Sequence, residues 1–232
     1  MSDNISAADE SKRLVSRIND MIRLAEKRGS VYSSFLNARE CVLAEAELKR
    51  LMYDNYCFYG LFENAERKML CVFKEYYQPE NSDFPMTCLT FSYRKENKLT
   101  HRDFLGAIMA LQIKRETVGD IVIGDGTAQI AVSDSVGNVI KSDIRKIGSV
   151  GVKVSDECGT VLKKVQEFKE IKGTVASLRL DGVLSLALNM SRSRTAGIIK
   201  GIGAEVNYFL KYDSSFNLSQ GDIISVKGFG KY

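Results

Sequence analysis

The chain has 232 residues, 44% hydrophobic and 27% charged, which is enough apolar matter for a core and excludes a disordered polyelectrolyte. Its 33 basic and 29 acidic side chains leave a net charge of +4, and a single histidine, His101, excludes a His-rich metal cluster and a zincin motif. The five cysteines, Cys41, Cys57, Cys71, Cys88 and Cys158, form no C-x-x-C pair, which argues against a zinc ribbon and for reduced core thiols in a cytosol.

The first eight residues are small and polar and are expected to fray. Leu14, Ile18, Met21, Ile22 and Ala25 then recur at helical spacing, and Gly29 stops the helix. A second helix is predicted after Asn37, with Val42, Leu43, Ala46, Leu48 and Leu51 inside and Glu40, Glu45, Glu47, Lys49 and Arg50 outside. Residues 56–59 and 69–73 are short, aromatic and β-prone. Gln78 to Asp83, holding one of two prolines, is the clearest linker.

The next block predicts strand, helix, strand, strand, helix, strand. A strand covers Met86 to Tyr93. Thr100 caps a helix to about Ile113, with Asp103 as capping-box partner. Strands at 120–123 and 128–132 flank the hairpin turn Gly124-Asp125-Gly126-Thr127. A helix over about 135–147 and a strand over 150–154 complete a β-α-β-β-α-β order, the ferredoxin-like plait. A charged stretch, 163–172, leads to the last block. Leu180, Val183, Leu184 and Ala187 make one helical face. Ser191 opens a second helix, and Gly201 and Gly203 stop it. Strands fall at 205–208 and 223–227, with a turn at Gly221-Asp222. The fold class is therefore α+β, with regions at 1–80, 81–165 and 166–232.

Charge is unevenly spread. Residues 1–80 hold 12 basic and 13 acidic side chains, residues 81–165 hold 12 and 10, and residues 166–232 hold 9 and 6. Ser191-Arg192-Ser193-Arg194 sits at a predicted helix start, where unpaired N–H groups and the helix dipole already favour an anion. Arg179 opens the preceding helix and Lys200 lies near the far end of the second. This spacing points to a phosphate-backbone site, with binding that weakens steeply with salt.

Arg179-Leu180-Asp181-Gly182-Val183-Leu184, Ser191-Arg192-Ser193-Arg194-Thr195-Ala196, Ile199-Lys200-Gly201, Val206-Asn207 and Gly221 to Val226, in that order, resemble the RNA-binding domain named after ribosomal protein S-four, the alpha-L motif. The resemblance implies two short helices on a small sheet, with RNA contacts from Arg179, Ser191, Arg192, Ser193, Arg194 and Lys200. Asp181 would orient Arg179 or cap its helix. Leu180, Val183, Leu184, Ala196, Ile199, Val206 and Ile224 would be core.

Further upstream, Asn64-Ala65-Glu66-Arg67, residues 100–109, Ile113-Lys114-Arg115-Glu116, Val118-Gly119-Asp120-Ile121 and residues 174–181 are similar to the YlmH family. The resemblance covers nearly the whole chain. It implies an N-terminal region, a plait-like RNA-binding domain and the C-terminal module. It also implies association with the large ribosomal subunit in the rescue of stalled peptidyl-tRNA. The chain departs from the family where Gln112 stands in place of the usual glycine after Leu111, and it ends soon after Phe229.

Sharper chemistry fares poorly on the residues. Arg179-Leu180-Asp181 is similar to the catalytic aspartate segment of pseudouridine synthases, but Gly182-Val183-Leu184 follows where those enzymes carry Thr-Ser-Gly. His101 with Asp103 could form an acid–base pair, yet at a helix start they more simply cap a turn. His101, Arg102, Lys114 and Arg115 are candidates for a second RNA or partner contact, and Lys141, Arg145 and Lys146 add a basic edge. Phe91 and Tyr93 share a strand face, but the third strand offers Gln129-Ile130-Ala131-Val132 where an RNA-recognition plait carries its stronger aromatics. The expectation is thus a cytoplasmic, monomeric, non-enzymatic protein without cofactor or metal. It binds ribosomal RNA on the large subunit, with or without tRNA, and no segment is long and apolar enough to insert in a membrane. The alternative is an RNA-tethered adaptor for cell-division or membrane-complex assembly, whose near-neutral N-terminal region holds a protein.

Overall fold

The computed structural model describes residues 7–163 and 169–232. The chain divides into two compact units, one up to residue 165 and one from residue 166. The expected fraying of the first eight residues falls largely outside the described ones.

The first unit opens with α1 (Ala7–Arg28), whose Leu14, Ile18, Met21 and Ala25 are buried along one stripe. Gly29, at φ +93°, ends it, a left-handed turn that a side chain would resist. The chain then enters β1 (Ser30–Leu36), α2 (Ala38–Arg50), β2 (Tyr56–Tyr59) and β3 (Lys68–Phe73). The strands form an antiparallel sheet in the order β1-β3-β2. Asn37 caps α2 through a capping box with Glu40. The inner face of α2 differs from the expected one: Ala44, Glu47 and Leu48 are buried, while Val42 is exposed. Glu47 can turn inward because Arg50 donates to both its oxygens at 2.7 Å and Asn19 of α1 reaches it at 3.5 Å. Arg50 in turn holds the carboxyl below its ordinary value. Residues of α1 and α2 pack on Leu36, Leu70 and Val72 of this sheet.

The plait follows: β4 (Met86–Ser92), α3 (His101–Ala110), β5 (Val118–Gly124), β6 (Thr127–Ser133), α4 (Asp134–Asp143), the short pair β7 (Lys146–Ile147) and β8 (Val150–Gly151), and β9 (Lys153–Ser155). The antiparallel sheet runs β5-β6-β4-β9, so the plait strands lie in the order 2-3-1-4. The fourth helix ends earlier than expected. Ile144 is already extended, and Ile147, read as a helical apolar position, is buried from β7. The last strand is split into β8 and β9.

Both faces of the plait sheet are occupied. Leu89, Phe91, Ile130 and Val132 pack with Phe104 and Ile108 of α3 and Ile140 of α4. Phe91 and Tyr93 both meet the Phe104 ring, at centroid distances of 5.4 and 5.9 Å, so neither strand aromatic offers a base a free stacking face. On the other side Val122 and Ala131 join one cluster with Phe35, Met69 and Cys71 of the first sheet and with Phe62, Ala65 and Phe84. Gly119 makes the approach possible, since a Cβ there would lie 2.6 Å from the Phe35 ring. Residue 80 is therefore a change of sheet inside one unit.

Gln112 sits at the end of α3 with φ +58°, the left-handed conformation that glycine tolerates best. The expectation of five reduced thiols is corrected. Cys88 and Cys158 form a disulfide, with Cα atoms 5.8 Å apart, while Cys41, Cys57 and Cys71 are free. The chain beyond β9 keeps running beside β4, where the Thr90 hydroxyl donates to the Glu157 carbonyl at 3.2 Å, and this brings Cys158 to Cys88.

The second unit holds α5 (Leu180–Leu188), α6 (Arg192–Ile202), β10 (Ala204–Val206), β11 (Phe209–Lys211), β12 (Ile224–Val226) and β13 (Gly230–Lys231). Its antiparallel sheet runs β11-β10-β12-β13. Leu180, Leu184, Ile199, Val206 and Ile224 are buried together with Ala204, Leu218 and Val226. Of the expected core, Val183 and Ala196 are only partly covered. The chain is mixed α+β, built on antiparallel sheets.

Candidate nucleic-acid interface

The basic residues of the second unit are organised by one carboxylate. Asp181, in the first turn of α5, is 5% exposed. Arg179, the N-cap of that helix, donates to it through Nε at 3.3 Å and Nη2 at 3.1 Å. Arg192, the first residue of α6, donates through Nη2 at 2.9 Å. Of the two roles expected of Asp181, the first holds: it orients Arg179, while no side-chain cap bond forms at the start of α5; Asp181 also ties the starts of the two helices together. The Arg179 hydrogen bonds, followed by those of Arg192, outweigh burial and hold the Asp181 carboxyl down at about 2.

The two guanidiniums keep solvent-facing sides, at 38% and 51% exposure. Residues 213–218 support the start of α5. Leu180 N–H donates to Phe216 O at 2.9 Å, and Asp181 N–H donates to Ser214 O at 3.0 Å.

Ser191 caps α6 by accepting the Arg194 N–H at 3.4 Å, and its hydroxyl lies 3.3 Å from that of Ser193. The buried Thr195 hydroxyl donates to Ser191 O at 3.2 Å and fixes the turn from beneath. Arg194 and Ser193 are exposed. One turn therefore presents Arg192, Arg194 and two hydroxyls beside first-turn N–H groups that an α-helix leaves unpaired. Lys200 is exposed in the last turn, about 12 Å along the axis from Arg192 at 1.5 Å per residue.

Asp181 offsets part of this charge, and Asp213 also acts on Arg179. Asp213 accepts the N–H and hydroxyl of Ser215, and Asp222 accepts from Ser219 N–H and Asn207. Lys211 and Lys231, which the sequence reading passed over, lie over the Phe216 and Tyr208 rings at 4.7 and 5.2 Å.

The other four candidates belong to the first unit. Arg102 and Lys114 are exposed. His101 and Arg115 line a cleft with Arg67 and Asp120. Among the described residues, no helix is long and apolar enough to cross a membrane, and no group of three or more His, Cys, Asp or Glu side chains is placed to hold a metal ion.

Residues 79–159 match a family model described as "Putative RNA-binding domain in YlmH". The chain is 31% identical over 201 residues to ribosome-associated protein quality control protein P2 of Bacillus subtilis, covering 86% of this chain and 78% of that protein. The chain belongs to the YlmH family. The solved structure of cell division protein ylmH from Streptococcus pneumoniae shares its fold, with a TM-score of 0.55 and 24% identity over 68% of this chain and 96% of that one. In this YlmH-family chain the matched domain is the plait, whose two sheet faces are both covered, while Arg179, Arg192, Arg194 and Lys200 lie in the second unit.

Proposed function

We propose that this protein is an RNA-binding factor of ribosome-associated protein quality control, acting in the cytoplasm as a monomer on the large ribosomal subunit. It grips the phosphate backbone of structured ribosomal RNA, with the tRNA of a stalled peptidyl-tRNA as a second partner of the same chemistry. The observation that carries this reading is the buried Asp181, which aims Arg179 and Arg192 beside the α6 start. A carboxylate that fixes two arginines sets their planar forks before RNA arrives, so less side-chain entropy is lost on binding. Family membership and the name of the Bacillus relative support the ribosomal setting. The action is one of position and does not require bond-making by the protein.

The test is sedimentation of the tagged full chain with ribosomes at low and moderate salt. The wild type is expected with the large-subunit peak. Arg192→Ala combined with Arg194→Ala should move it to the top of the gradient. A double variant that still sediments with large subunits as the wild type does would refute the site.

A further inference from the structure

The basic edge expected around Arg145 and Lys146 takes no part in the C-terminal surface. Ser92, the last residue of β4, stands opposite Lys153 of β9, and Lys146 of β7 stands opposite Gly151 of β8. The Val152 N–H donates to Arg145 O at 3.0 Å. The β7–β8 hairpin therefore meets the start of the β4–α3 loop, which holds Arg94 and Lys98, at one end of the plait. Ile147, Val152 and Val154 turn to the core under α3 and α4, so by alternation Lys146, Gly151 and Lys153 point to the other side. The cover on that side of the sheet stops short of this end, where Ser92, Gly151 and Lys153 are exposed.

The charge here is not cancelled locally. Asp125 is held by Lys95 at 3.1 Å and Asp156 by Lys141 at 2.7 Å. Across residues 92–98 and 143–153 that leaves Glu96 and Asp143 against Arg94, Lys98, Arg145, Lys146 and Lys153. Those five are exposed, and among the described residues none of them makes an ion pair; Arg145 donates only to the Lys141 carbonyl, at 2.9 Å.

Lysine on an edge strand keeps other strands from pairing with it, which accounts for Lys153, since β9 is an edge of its sheet. It does not account for Arg94, Lys98 and Lys146, which lie outside that sheet. Nor does the fold require glycine at 151: its φ is not left-handed, and no atom lies within 4 Å of the place a Cβ would take. A bare backbone among exposed cations lets a phosphate come close to the chain. Neither stretch exposes a large apolar side chain, so a membrane or a protein's apolar patch finds no hold there, whereas a phosphate chain does.

We propose that this end of the plait is a second RNA-backbone contact, made by Arg94, Lys146 and Lys153 around Gly151. It rests on the reading of the protein as an RNA-binding factor, and the two contacts can fail separately. The test is filter binding of radiolabelled, protein-free large-subunit RNA by the full chain across a range of potassium chloride. Arg94→Ala with Lys146→Ala and Lys153→Ala should flatten the log affinity against log salt plot by about 2–2.7, three contacts at about 0.7–0.9 each. Arg13→Ala with Arg17→Ala and Lys27→Ala removes the same charge from the exposed side of α1 and should leave the slope unchanged. Arg94→Ala alone, a loop substitution, decides the matter through its own drop of about 0.7–0.9 if the triple variant loses its circular dichroism. A plait variant with the wild-type slope, or an α1 variant that loses as much, overturns the surface. If Arg192→Ala with Arg194→Ala still weakens binding in that case, the C-terminal site stands; the reverse pattern upholds the plait surface and fails the C-terminal one. Labelled polyglutamate bound by the wild type as tightly as RNA, and released by the plait variant, would give the surface to an acidic protein and equally overturn the proposal.

Discussion

Replacing Asp181 by asparagine keeps the side-chain shape and removes the charge that holds two arginines. The carboxyl is lowered from 3.8 to about 2, which at 1.36 kcal/mol per pH unit sets a ceiling of about 2.4 kcal/mol. Both guanidiniums are exposed to water, at 38% and 51%, and screening brings the expected loss to about 1–1.5 kcal/mol. That corresponds to about ten-fold more frequent opening of the C-terminal unit. Hydrogen exchange by mass spectrometry at pH 7 should show this acceleration across α5 and α6 and none in the first unit. The sign with pH follows from a depressed carboxyl. Its stabilisation is whole above about pH 4 and is lost as pH falls through about 2. Thermal melts of wild type and variant should therefore differ at pH 7 and converge near pH 2. Unchanged exchange in α5 and α6 at pH 7, or a gap that persists in acid, would refute the reasoning.

Gln112→Gly should raise stability by about 0.5–1 kcal/mol, because relief of the left-handed backbone exceeds the added chain entropy of glycine; the urea midpoint checks it. Lys200→Ala should flatten the log affinity against log salt plot by about 0.7–0.9, one phosphate contact, and leave the protein's melting unchanged. The buried Cys71 thiol is pushed up to about 12, chiefly by burial, so iodoacetamide at pH 8 should leave it unmodified in the native chain and label it in urea.

Where the deciding signal is local, the sequence reading and the structure agree. Asn37, Thr100 and Ser191 each start a helix as expected, because a cap is made by residues within three positions of one another. The plait order was readable from alternating periods and the Gly124–Thr127 turn. The strand β1 was not. Its Ser-Val-Tyr-Ser-Ser-Phe-Leu run has no clean alternation, and its pairing with β3 slips between Tyr32 and Phe35. Glu47 reads as a surface residue until Arg50 and Asn19 are seen around it. The Asp181 contacts join residues eleven apart, within reach of a motif. The Arg67–Arg115 cleft joins residues 48 apart, and nothing in a linear pattern announces that proximity.

The covered face of the plait bears on how this chain can be taken apart. The family match begins at residue 79, and a fragment cut there would lose Phe35, Met69 and Cys71 and leave Phe84, Val122 and Ala131 facing water. Such a piece has an oily wall where its partner sheet belongs and should self-associate whatever its affinity for RNA. A cut beyond Leu162, whose N–H Gln129 holds at 2.7 Å, leaves the shared core whole. For dissection, the two sheets of the first unit are a single part.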